Sequence, residues 1–131
     1  MITDPIADSL TRIRNAISSR HKSVELLHSK ITERIMKLFY RIGYISDVKI
    51  KHDKIFKKIE LTLKYDNHGN SVLTGLKRVS KPGLRNYCNK TNIPSVQNGI
   101  GTAIISTSYG LMTTYQAKKK SIGGEVICFI W

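Results

Sequence analysis

The chain has 131 residues, 40% of them hydrophobic, with 22 Lys and Arg against 9 Asp and Glu and a net charge of +13. That length makes one domain or two small lobes. The charge draws the molecule to polyanions, nucleic acid first, with an acidic membrane surface as the competitor. No stretch approaches the roughly 18 apolar residues of a membrane-spanning helix, so none is expected.

Met1, Ile2, Thr3, Asp4 and Pro5 form no basic region followed by an apolar core, so no secretory signal is expected, and no transit peptide. Asp4 and Pro5 are instead an N-cap and a first helical residue. Ile6, Leu10, Ile13 and Ile17 follow at helical spacing and predict a buried stripe, with Asp8, Arg12, Asn15 and Ser19 opposite and Thr11 and Arg14 beside them. Residues 21–28 read as a loop or short strand. Ser29 caps a second helix with apolar positions Ile31, Ile35, Leu38, Phe39 and Ile42, which Gly43 ends. Residues 47–51 and 57–65 alternate and predict a hairpin, with Ile59, Leu61, Leu63 and Tyr65 on one face.

The polar run Asp66-Asn67-His68-Gly69-Asn70 marks a break. The expected fold is α+β in two small α/β lobes. Residues 1–68 form a helix-strand-helix-hairpin unit, and residues 69–131 a mostly β lobe with one short helix. Strand-like runs in the second lobe are 72–80, 84–87, 101–106 and 125–131. Thr113 and Gln116 form a capping box for a helix through Lys120. Residues 72–131 hold eight Lys or Arg and a single acid, Glu125.

No catalytic constellation is visible. The histidines His21, His28, His52 and His68 have no metal-ligand spacing, and Gly99-Ile100-Gly101 lacks the third glycine of a dinucleotide fingerprint. Cys88 and Cys128 stand far apart and are expected as reduced thiols. No enzyme, cofactor or metal is expected.

Binding surface is what remains. In Leu76-Lys77-Arg78-Val79-Ser80-Lys81-Pro82-Gly83-Leu84-Arg85, cations flank a Pro-Gly turn, and Tyr87 shares a face with Arg85 if the segment is extended. A tyrosine beside an arginine suits stacking on an unpaired base while the cation meets phosphate; a half-buried core tyrosine is the alternative. Ser106-Thr107-Ser108, between an apolar run and Tyr109-Gly110, places three hydroxyls on a corner suited to phosphate and sugar oxygens. A polar turn explains the same triplet. Lys118, Lys119 and Lys120 read as solvated. Glu125 is placed either to accept hydrogen bonds from Ser106 or Ser108 or to pair with a cation, supporting the corner.

Four motifs, in order, resemble one family. They are Asp4-Pro5-Ile6-Ala7-Asp8 with Leu10-Thr11-Arg12-Ile13-Arg14-Asn15; Leu61-Thr62-Leu63-Lys64-Tyr65; residues 78–85 with Tyr87; and Ser106-Thr107-Ser108-x-Gly110 with Met112-Thr113 and Gly123-Gly124-Glu125-Val126. Together they resemble protein number eight of the small ribosomal subunit, bacterial or plastid type, nearly end to end. The resemblance implies an early-binding structural protein that holds a helical junction in the central domain of small-subunit ribosomal RNA and helps assemble the platform beside neighbouring ribosomal proteins. It implies RNA contacts at Ser106, Thr107, Ser108, Gly110, Tyr87 and Arg85, backbone contacts at Lys30, Thr11, Arg14 and Asn15, and a bracing role for Glu125. Lys81 and Arg78 join this set from the basic turn. The chain departs from the family pattern at Tyr109, usually Lys or Arg, at Thr114 and Gln116, usually acids, and at Asn86, usually apolar. Its Ile- and Lys-rich composition and its ending point to a plastid stroma, with a bacterial cytoplasm or mitochondrion as alternatives. A messenger RNA site for self-repression is a compatible second function. A generic DNA-binding or membrane-surface protein is the competing one.

Overall fold

The computed structural model describes residues 4–52 and 54–131. Residues 1–3, read above for signal character, and Asp53 lie outside the described residues. The chain divides into two compact units between Thr74 and Gly75. The polar run 66–70 lies inside the first unit. Asp66 N–H donates to Asn70 O at 2.8 Å and Val72 N–H to Lys64 O at 2.9 Å, folding the turn back onto the preceding strand, and Leu73 beyond it is buried.

In the first unit, helix α1 (Pro5–Ser18) starts where Asp4 accepts the Ala7 N–H at 3.2 Å. Ile6, Leu10 and Ile13 are buried as the spacing predicts, but Ala16 completes the stripe and Ile17 is only half-buried. After β1 (Ser23–Leu27), α2 (Lys30–Ile42) opens on Ser29 Oγ, which accepts the Thr32 N–H, and closes at Gly43 with φ of +100°. Left-handed backbone there favours a residue without Cβ. Strands β2 (Ile45–His52) and β3 (Lys57–Leu63) form the expected hairpin in an antiparallel sheet of order β1-β3-β2. Ile59, Leu61 and Leu63 face the core with Ile35, Met36 and Phe39 of α2 buried as well. Lys51 pairs with Glu60 and lies 3.8 Å from Glu25, so the acids on these strands are matched by cations.

The second unit holds β4 (Leu76–Arg78), β5 (Tyr87–Cys88), β6 (Thr102–Thr107), β7 (Gly110–Thr113), α3 (Thr114–Lys120) and β8 (Gly124–Ile130). The sheet runs β4-β8-β6-β7, with β5 also on β8. Strand β8 is therefore internal, with β6 on one edge and β4 then β5 on the other. Sequence periodicity had predicted strands over 72–80 and 84–87; only short pieces of each pair, because residues 81–84 form a turn. Strand β7 was not expected at all.

The register carries one irregularity that decides which side chains share a face. Ile104 pairs with Cys128 but Ile105 pairs with Val126, so Ile127 is the extra residue of a β-bulge. Its carbonyl accepts the Val79 N–H at 3.0 Å and Arg78 Nη1 at 2.7 Å. The bulge brings Val126 into the core with Val96, Ala103, Ile105, Met112 and Ala117, and sends Glu125 to the opposite face beside Ser106. Both thiols are free, as expected; burial pushes Cys128 up to about 12, so it stays protonated.

Helix α3 is fixed at its start by the predicted capping box. Thr113 Oγ1 accepts the Gln116 N–H at 3.3 Å and Gln116 Oε1 the Thr113 N–H at 3.0 Å. Thr114 Oγ1 also accepts the Ala103 N–H at 2.7 Å, tying the helix to β6.

At Gly124 a Cβ would lie 2.2 Å from the Ser106 carbonyl oxygen, backbone that cannot yield without parting β8 from β6. Gly83 has open space around it and no positive φ. Gly124→Ala is expected to cost roughly 1–3 kcal/mol in urea unfolding, and Gly83→Ala to be neutral or slightly stabilising. Equal stability of the two variants would contradict this packing.

Candidate nucleic-acid interface

The bulge lines up one row of residues across four strands. Tyr87 of β5 pairs with Glu125 of β8, Glu125 with Ser106 of β6, and Ser106 with Leu111 of β7. Directly opposed residues of an antiparallel sheet point to the same face with their Cβ atoms about 5 Å apart. Tyr87 is 72% exposed, which sets aside the half-buried core tyrosine. Arg85 Nη1 donates to Glu125 Oε2 at 3.1 Å. Of the two roles expected for Glu125, the structure has the cation pair and not the serine hydrogen bonds. Both partners are partly exposed, so the pair contributes little stability. Its consequence is geometric: Arg85 is tethered to the row at Glu125, the strand partner of Tyr87.

The hydroxyl triplet separates into three tasks. Ser106 is the row's residue on β6 and is half-buried. Thr107 Oγ1 accepts the Tyr109 N–H at 3.1 Å and donates to the Gly110 carbonyl at 2.8 Å, locking the β6–β7 turn from inside. Ser108 stands exposed at the tip. Gly110 takes φ of +105°, whereas Ser108 and Tyr109 keep negative φ, the arrangement of a hairpin closed by a left-handed glycine. Among the described residues, the Ser106 and Ser108 hydroxyls have no hydrogen-bond partner. The end of β6 and the rigid turn thus present two uncommitted hydroxyls.

The basic turn is built on a buried serine to which sequence reasoning assigned no role. Ser80 is fully buried; its Oγ accepts the Asn86 N–H at 2.9 Å and donates to the Asn86 carbonyl at 3.1 Å. Asn86 Nδ2 donates to Val79 O at 3.0 Å, and the Asn86 carbonyl accepts the Val126 N–H at 2.9 Å. Lys81 and Leu84 exchange backbone hydrogen bonds at 2.9 and 3.0 Å across Pro82-Gly83. Every residue from 81 to 87 is exposed, Lys81 and Arg85 included. The only sequence signal for Ser80 was a hydroxyl just before a Lys-Pro-Gly turn. Arg78, grouped with these cations in the sequence, is partly buried and donates to the bulge carbonyl instead.

The remaining expected residues lie in the first unit. Thr11, Arg14 and Asn15 are exposed on one side of α1, and the Thr11 hydroxyl donates to Ala7 O of its own helix at 2.9 Å. Lys30 is exposed at the first position of α2. Lys118, Lys119 and Lys120 are exposed as expected, and Lys120 Nζ sits 5.8 Å from the centroid of the Tyr109 ring. A cation therefore stands beside the position where the resembled family carries one. Among the described residues, no group of acids, histidines and cysteines could hold a metal ion.

Comparison with known proteins matches this sequence to one family. Residues 4–131 match the family described as Ribosomal protein S8. Curated relatives called small ribosomal subunit protein uS8 include that of Clostridium tetani, 50% identical over 131 residues, covering 100% of this chain and 99% of the relative. That of Clostridium novyi is 51% identical and that of Lactobacillus delbrueckii subsp. bulgaricus 48% identical, each over 131 residues with the same coverage. The chain belongs to the ribosomal protein S8 family.

Ser80→Ala removes a buried hydroxyl that makes two backbone hydrogen bonds, and is expected to cost roughly 1–3 kcal/mol. Amide exchange should accelerate at Asn86 more than at Met112. Unchanged protection at Asn86 would show that the turn is held by something else.

Proposed function

We propose that this chain is a structural constituent of the small ribosomal subunit and binds the subunit's RNA chiefly through the unit from Gly75 to Trp131. Membership of the family carries the first half; relatives with about half of their residues identical bear the name of that subunit. The second half is carried by one observation: the end of β6 and the β6–β7 turn hold two uncommitted hydroxyls rigidly beside exposed Tyr87 and Arg85, in a unit whose single acid is occupied by Arg85.

The chemistry follows from the parts. Ser106 and Ser108 can donate to phosphate or ribose oxygens and accept from 2′-hydroxyls and base edges. Tyr87 offers a ring to an unstacked base while Arg85 and Lys81 meet neighbouring phosphates. Gly110 lets RNA approach the turn closely. Glu125, which would repel phosphate if bare, is instead spent on orienting Arg85. Arg78 acts from behind, holding the bulge that aligns the row. Thr11, Arg14, Asn15 and Lys30 add phosphate-backbone contacts from the first unit. Rigid donors recognise a fixed RNA shape, which fits a helical junction in the central domain of small-subunit RNA, early binding during platform assembly, and contact with neighbouring ribosomal proteins. The ribosome is of bacterial type, in a bacterium or a plastid: the relatives above come from bacteria, and the Ile- and Lys-rich composition fits either setting.

Ser108→Ala should weaken binding to small-subunit RNA by roughly 1–3 kcal/mol without altering stability, because the hydroxyl is exposed in the free protein. Glu125→Gln separates two roles. Release of Arg85 predicts weaker binding, whereas a merely repulsive carboxylate predicts tighter binding. Wild-type affinity in Ser108→Ala together with tighter binding in Glu125→Gln would refute this interface.

A further inference from the structure

Helix α3 and the β6–β7 turn together present a second aromatic and basic surface that the residues above do not use. Tyr109 at the tip of the turn is 76% exposed and Tyr115 in the first turn of α3 is 72% exposed. Exposed aromatic rings flanked by cations offer stacking platforms for unpaired bases. Tyr115, Gln116, Lys119 and Lys120 line a shallow, open groove on the helix. The helical repeat explains the lining: Tyr115 and Lys119 are four residues apart, as are Gln116 and Lys120, so each pair stacks on one side. The side-chain amide of Gln116 is half committed. Its oxygen accepts from Thr113 in the capping box, while its NH2 group has no partner among the described residues. Lys120 bridges the two elements by standing over the Tyr109 ring.

We infer that this surface binds an unpaired nucleotide of the same RNA. Tyr115 stacks on the base, the Gln116 NH2 group donates to an acceptor on the base edge, and Lys119 and Lys120 hold the flanking phosphates. Lys118, Lys119 and Lys120 have no acid among them, and the unit's only carboxylate is paired with Arg85, so the charge favours a polyanion. Tyr109 and Ser108 are neighbours in one turn, so RNA held at Ser108 is led past Lys120 to this helix.

This inference rests on the proposal that the second unit binds RNA, and the test keeps the two apart. Full-length small-subunit ribosomal RNA is the probe, with transfer RNA as competitor, at two salt concentrations. Tyr115→Leu should weaken binding roughly tenfold through lost stacking, with no change in melting temperature, while Tyr115→Phe keeps wild-type affinity. The double variant Lys119→Ala with Lys120→Ala should lower the salt dependence. Wild-type affinity in Tyr115→Leu, alongside weakened Ser108→Ala, overturns this inference and leaves the RNA interface standing; the α3 surface would then face a protein. Failure of the unmodified chain to outcompete transfer RNA would bring down the RNA interface itself, and this inference with it.

Discussion

The β-bulge at Ile127 is the constraint on which the second unit's surface depends. Side chains alternate along a strand, so an unbroken β8 would put Glu125 on the core side and Val126 on the outer side. One extra residue reverses both. Val126 then fills the core against Ile105, and Glu125 rises between Tyr87 and Ser106. Three consecutive buried residues, Val126, Ile127 and Cys128, make the reversal favourable, since each finds apolar surroundings. The cost of a bulge is an irregular carbonyl, and here Arg78 and the Val79 amide satisfy it. A cation that looked like RNA-facing charge is thus part of the scaffold.

From that register the interface follows with little further help. Buried or internal hydroxyls do the positioning: Ser80 holds the basic turn, Thr107 locks the hairpin, and Thr113 and Thr114 fix α3. The groups proposed to meet RNA are half-buried Ser106 and exposed Ser108, Tyr87, Arg85 and Lys81. The division is economical because a short side chain on a rigid turn loses little entropy when it binds. Charge sets attraction over distance, but Lys and Arg alone would bind any polyanion. Selectivity for one folded RNA requires donors that do not adjust, which is the part proposed for the free hydroxyls of Ser106 and Ser108.

Much of this was legible in the sequence where the signal is local. Asp4-Pro5, Ser29, Gly43 and the Thr113–Gln116 box are short-range devices, and each helix begins or ends where its cap predicted. The alternation of 57–63 and the apolar run before Ser106 likewise gave strands. What escaped depends on partners distant in sequence. Strand β7 has four residues, too few for a periodic pattern, and is a strand only because β6 lies beside it. The bulge is invisible to period-two reading. Arg78 and Ser80 sit in the same motif as Lys81 and Arg85, but their roles are set by Ile127 and Asn86, which only folding brings near. Tyr87 was undecided between core and surface because two neighbours of mixed character say nothing about which side of β8 it joins.

The central claim is that a rigid, shape-matched surface, and not net charge, holds the RNA. Binding of the unmodified chain to a small-subunit RNA fragment containing the central-domain junction, in excess transfer RNA and duplex DNA at low and moderate salt, tests it most directly. A shape-specific interface predicts binding that survives both competitors and weakens only modestly with salt. Affinity that falls to the competitors' level as salt rises would contradict the claim and reduce the surface to a diffuse positive charge.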